Sequence, residues 1–88
     1  MNIIRTDSFK RDYKRLPEKV KRKAEKSLQL LVANLSHPSL RTKKIKSREN
    51  IWEARVAKDY RFSFETRGDT YVLRRIGRHE SVNYSLSI

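Results

Sequence analysis

The sequence predicts an α+β domain. An N-terminal strand and a two-helix hairpin pack on one face of a mostly antiparallel sheet, in the order β-α-α-β-β-β-β. Three observations predict it. Apolar residues recur at steps of three and four as far as Leu35. Beyond Pro38 the apolar period falls to two. Short turn-forming stretches then cut the second half into strand-length pieces.

Ile3 and Ile4 place a first strand over residues 1–5. Thr6 or Asp7 can cap the helix that follows, because a short side-chain oxygen can accept from an otherwise unpaired amide of the first turn. Phe9, Tyr13 and Leu16 then recur at helical spacing over residues 8–16. Pro17 suits the first turn of a second helix, where its missing N–H costs nothing. Leu16, Val20, Ala24, Leu28, Leu31 and Leu35 form one apolar stripe over residues 17–35, and Lys19, Arg22, Lys23 and Lys26 form the opposite face. Asn34 through Pro38 end the hairpin. Residues 41–46, 50–57, 60–66 and 70–77 read as strands. Ala57-Lys58-Asp59-Tyr60 is short enough for a tight turn, and Arg67-Gly68-Asp69 supplies a glycine for positive φ in a second one.

Composition narrows the classes of function. The chain of 88 residues accommodates one domain, residues 1–88. It lacks an apolar run of the roughly 20 residues a membrane span needs, and its first residues are too polar for a signal peptide. With no cysteine there is no disulfide, thiolate metal site or thiol nucleophile, and no cofactor or metal is expected. These features lead us to expect a cytoplasmic protein with no membrane partner. The formal charge is +12, which suggests a polyanionic partner. Residues 1–40 hold 10 basic and 4 acidic side chains and residues 41–88 hold 12 and 6, so the excess is spread over the domain rather than confined to a tail.

The strands suggest where function lies. Side chains alternate across a strand with period two. Trp52, Ala54 and Val56 share one side of their strand; Tyr60, Phe62 and Phe64 share one side of the next. These aromatic sides must face the helices, which sends Glu53, Arg55 and Arg61 to the uncovered face. Lys44 and Lys46 can join them. Both sides of residues 70–77 carry apolar groups, so the pattern does not decide whether Arg74 or Arg75 reaches that surface. The plain alternative is a solvated sheet face on which Glu53 pairs an arginine. His37, before Pro38, reads as a polar loop residue, and Trp52 as core.

The segment Ile51-Trp52-Glu53-Ala54-Arg55-Val56-Ala57-Lys58-Asp59-Tyr60-Arg61-Phe62 resembles the RelE/ParE superfamily of bacterial and archaeal toxin–antitoxin systems. Leu16-Pro17 in the helical hairpin and Lys43-Lys44-Ile45-Lys46 are similar to the family pattern, and the likeness runs from Ile3 to Tyr84. The ending Arg75-Ile76-Gly77-Arg78-His79 is similar to the Arg-x-Gly-x-His ending of the YafQ-like RNase branch. The resemblance implies a toxin that enters the ribosomal A site and cuts mRNA there, silenced by a cognate antitoxin. That antitoxin is expected to be acidic and partly disordered, and to be the toxin's route to operator DNA. The ParE-like alternative is a non-catalytic inhibitor of DNA gyrase. A nucleic-acid-binding module without activity is a third reading, but no helix offers side chains suited to base edges.

RNA can be cut without a metal because its 2′-OH can attack the adjacent phosphate. The protein then supplies cations for the phosphorane, a base for the 2′-OH and an acid for the departing 5′-oxygen. The resemblance and this chemistry together single out Arg61 to grip the scissile phosphate, with Arg55 and Arg75 as further candidates. His79 is the candidate general acid. The base is left open between Glu53, Lys46 and no protein group, because Glu53 stands where RelE has a lysine. Lys43, Lys44, Lys46 and Arg78 are candidates to hold RNA phosphates, and Tyr84 to stack on an unpaired base.

Overall fold

The computed structural model describes residues 2–45 and 50–78. Strand β1 (Asn2–Arg5) leads into helix α1 (Asp7–Lys14) and helix α2 (Glu18–Ala33). A 3₁₀ turn (Pro38–Leu40) follows, and then strands β2 (Lys43–Lys44), β3 (Ile51–Ala57), β4 (Tyr60–Arg67) and β5 (Thr70–Arg78). They form one sheet in the order β1-β5-β4-β3-β2. β1 runs parallel to β5 and the other pairs are antiparallel. The architecture is the expected one. None of the described helices is long and apolar enough to cross a membrane.

Local chemistry explains the elements. Thr6 Oγ1 accepts from the Phe9 N–H at 3.2 Å and so caps α1. The same hydroxyl donates to Leu73 O at 2.8 Å, which ties the start of α1 to β5. Pro17 stands just outside α2 as its N-cap rather than within the first turn. The α2 stripe is buried at Ala24, Leu28 and Leu31, against a sheet side carrying Ala54, Phe62, Phe64 and Leu73. Each large apolar side chain buried here contributes about 1.5–3 kcal/mol relative to exposure. Trp52 is partly buried against this core, as expected.

Two differences from the expected strands bear on the site. The strand expected over 41–46 contracts to Lys43–Lys44 because the chain first makes the 3₁₀ turn. His37 Nδ1 accepts from the Ser39 N–H at 3.1 Å and caps that turn, so this histidine has a structural task. Arg41 ends the turn with φ 45°, ψ 49°, a left-handed conformation. The second difference is a bulge in β5. Phe62 pairs Ile76, Ser63 pairs Arg75 and Phe64 pairs Leu73, leaving one extra residue opposite β4. This is why alternation fails there: Tyr71, Leu73 and Ile76 all reach the core. Two amides at the irregularity find side-chain acceptors. Arg75 N–H donates to Ser63 Oγ at 3.2 Å, and Ile76 N–H donates to Asp12 Oδ2 at 3.1 Å.

Candidate active site

Residues paired directly across neighbouring strands share a face and lie about 4.5–5.5 Å apart at Cα. Arg55 pairs Arg61, and Arg61 pairs Gly77, making one row across β3, β4 and β5. Lys43 pairs Glu53, and Glu53 pairs Ser63, making the next row. Arg55, Arg61, Glu53 and Lys43 therefore meet on the sheet face opposite the helices. Gly77 adds no side chain beside Arg61.

The centre of this face is less open than the sequence suggests. Ile51, Glu53 and Ser63 are only 4%, 5% and 0% exposed. Ile45 packs on Ile51, and the Arg61 Nε lies 3.6 Å from Glu53 Oε1. Arg61 also folds back over the β3–β4 turn, its Nη1 donating to Ala57 O at 2.7 Å and Tyr60 O at 2.9 Å. Its guanidinium is thus held between a buried carboxylate and the carbonyls of the turn. Arg55 is half-buried, and its guanidinium pairs with none of the described carboxylates. The arrangement places two arginines at directly paired positions with an acid in the next row, a set of groups suited to a phosphate and a nearby proton.

The remaining candidates scatter. Arg75 shares the row of Ser63, but its guanidinium turns to α1. Its Nε and Nη2 donate to the two Asp12 carboxylate oxygens at 2.6 and 3.1 Å. This double hydrogen bond raises the Arg75 pKa above the ordinary arginine value, against the opposing effect of burial. The bulge accounts for the turn away from Arg61. Arg74 lines a separate groove with Thr6, Glu65, Arg67 and Val72. Lys44 pairs Trp52, so register sends it to the opposite side from Glu53, and Lys43 stands where Lys44 was expected. Arg78 pairs Tyr60 and lies with its guanidinium 5.9 Å from that ring, at the rim of the helix-covered side. Lys46, His79 and Tyr84 lie outside the described residues.

Asp12 is the residue that sequence reasoning missed. It falls three residues after Phe9 and four before Leu16, on the apolar stripe of α1. An acid on a buried stripe requires a cationic or amide partner, and that signal was present. No group of three or more histidines, cysteines or carboxylates placed to hold a metal occurs among the described residues.

The family model described as the ParE toxin of the type II toxin–antitoxin system parDE matches residues 3–82. No curated protein sequence matches the chain. Among solved structures, the RelB–RelE antitoxin–toxin complex from Methanococcus jannaschii superposes with a TM-score of 0.77 at 24% identity, covering 93% of this chain and 96% of that one. YafQ from E. coli strain BL21(DE3) gives 0.76 at 20% identity, covering 91% and 94%. The YoeB dimer from Staphylococcus aureus gives 0.75 at 18% identity, covering 90% and 97%. Each of these likenesses covers at least nine-tenths of both chains.

Proposed function

The chain belongs to the RelE/ParE superfamily as a toxin of a type II toxin–antitoxin system, and from that premise we propose that it is a ribosome-dependent endoribonuclease. It cuts mRNA in the A site by attack of the RNA 2′-OH and thereby inhibits translation. The observation that carries this reading is the Arg55–Arg61 pair beside buried Glu53 on one rigid sheet face. Two guanidinium groups can take the charge that builds on the phosphorane, the largest contribution expected in chemistry of this kind.

In this reading Arg55 and Arg61 hold the scissile phosphate. Glu53 either receives the 2′-OH proton or orients Arg61. His79 delivers a proton to the 5′-oxygen, Lys43 and Lys46 steady the flanking strand, and Tyr84 stacks on a base. Lys44 and Arg78 contribute positive field from the rim. Arg75 has no part in this scheme, because Asp12 holds it. The partners are the ribosome with its mRNA and a cognate acidic antitoxin, with operator DNA reached through the antitoxin. The cytoplasm is the compartment where those partners reside.

The family description favours one other reading, a ParE-like inhibitor of DNA gyrase. Induction in cells separates the two. The nuclease reading expects new mRNA 5′ ends within ribosome-bound codons and no early DNA-damage response. A DNA-damage response with intact mRNA would replace it with the gyrase reading.

A further inference from the structure

A groove of about 410 Å³ opens between the 3₁₀ turn and β3, lined by Pro38, Ser39, Arg41, Arg55 and Val56. Two arginines line it, and neither Arg41 nor Arg55 forms an ion pair with a described carboxylate. Like charges in one concavity repel, and an anion between them removes that repulsion. Arg41 is held there by backbone geometry. Its φ of 45° is left-handed, and its N–H donates to Pro38 O at 3.3 Å. That conformation favours glycine, yet the position carries a cation. The groove shares Arg55 with the site described above, and Arg55 pairs Arg61 directly across β3 and β4.

We propose that this groove is a phosphate subsite in which Arg41 holds the phosphodiester of a single-stranded RNA that adjoins the scissile one, with Arg55 bridging the two phosphates. The proposal rests on the reading of the chain as RNA-acting and names where the strand continues beyond Arg61. A phosphate oxygen pair fits two planar forks of donors. A docking peptide needs apolar anchors or an open strand edge. Here the apolar lining is Pro38 and Val56, and Val56 is already buried. Arg41 thus positions RNA without touching the scissile bond.

The test is Arg41→Gly. Glycine adopts the left-handed conformation freely, so the variant deletes the cation while easing the backbone. Thermal unfolding should show a midpoint no lower than that of the unaltered protein. Binding of a fluorescent ten-nucleotide uridylate RNA, followed by anisotropy over a salt series, should weaken about five- to twenty-fold. The slope of log affinity against log salt should fall by about 0.7, the value for one lost contact on a single strand. Lys23→Ala removes the same charge from the exposed face of α2 and should leave affinity within two-fold. Inorganic phosphate should compete better than chloride at equal ionic strength in the unaltered protein, and lose that advantage in Arg41→Gly.

Equal RNA affinity in Arg41→Gly and Lys23→Ala would overturn the proposal. So would a loss of oligoglutamate binding with RNA binding unchanged, since the groove would then serve an acidic peptide. The two readings fail separately. If RNA binding depends on Arg41 but ribosome-bound mRNA stays intact, the subsite stands and the nuclease reading falls. If mRNA is cut and RNA binding ignores Arg41, the subsite alone falls.

Discussion

Arg61 and Glu53 meet across the β3–β4 hairpin, Nε to Oε1 at 3.6 Å, while the Arg61 Nη1 holds the carbonyls of the turn between them. One side chain therefore ties a buried acid to the loop that follows its strand. Arg61→Ala should lower unfolding free energy by about 1–3 kcal/mol, as expected when hydrogen bonds to a charged group are removed. Adding Glu53→Gln should recover part of the loss, because the buried carboxylate that faced Arg61 is then uncharged. Urea denaturation of the two single variants and the double variant checks this. Strict additivity would mean that the two groups do not interact.

The Asp12–Arg75 pair should matter for folding rather than chemistry. Asp12 accepts three hydrogen bonds, two from the Arg75 guanidinium and one from the Ile76 amide at the β5 bulge. Asp12→Ala should cost about 2–4 kcal/mol, and Arg75→Ala less, since the arginine end is more exposed. Chemical denaturation gives both values. RNA cleavage per folded molecule should be unchanged in Arg75→Ala, which separates it from Arg55 and Arg61.

Thr6 both caps α1 and bonds to β5. Thr6→Ala should therefore exceed the ordinary loss of a cap, about 1 kcal/mol. Thr6→Ser keeps the oxygen and should retain most of the stability. Equal losses in the two variants, measured by thermal unfolding, would show that the hydroxyl is not the cause.

Gly68 has φ +57° at the first central position of the β4–β5 turn, and a Cβ added there would meet nothing within 4 Å. The cost of Gly68→Ala is then conformational alone, about 1–2 kcal/mol. Thermal unfolding of Gly68→Ala beside the unaltered protein gives the value.

Much of this architecture was legible because it depends on periodicity. Phe9, Tyr13 and Leu16, then Ala24, Leu28 and Leu31, mark their helices by spacing alone. Phe62 and Phe64 mark the covered face of β4 in the same way. Reading failed where the period breaks. The β5 bulge sends Leu73 and Ile76 to one side and turns Arg75 toward α1, and no local signal announces an extra residue. Lys43 and Lys44 exchange faces because a strand of two residues has no alternation to read. The Arg55–Arg61 neighbourhood was foreseen, but Arg41 was not. It sits after a 3₁₀ turn whose geometry depends on the His37 cap.

Cleavage of a defined mRNA on purified, programmed ribosomes tests the central claim most directly. The unaltered protein should cut within the A-site codon and leave a 2′,3′-cyclic phosphate, the product of attack by the 2′-OH. The Arg55→Ala/Arg61→Ala double variant, confirmed folded by circular dichroism, should be at least a thousand-fold slower. Intact mRNA with the unaltered protein, or cleavage by the double variant at the unaltered rate, would contradict the account.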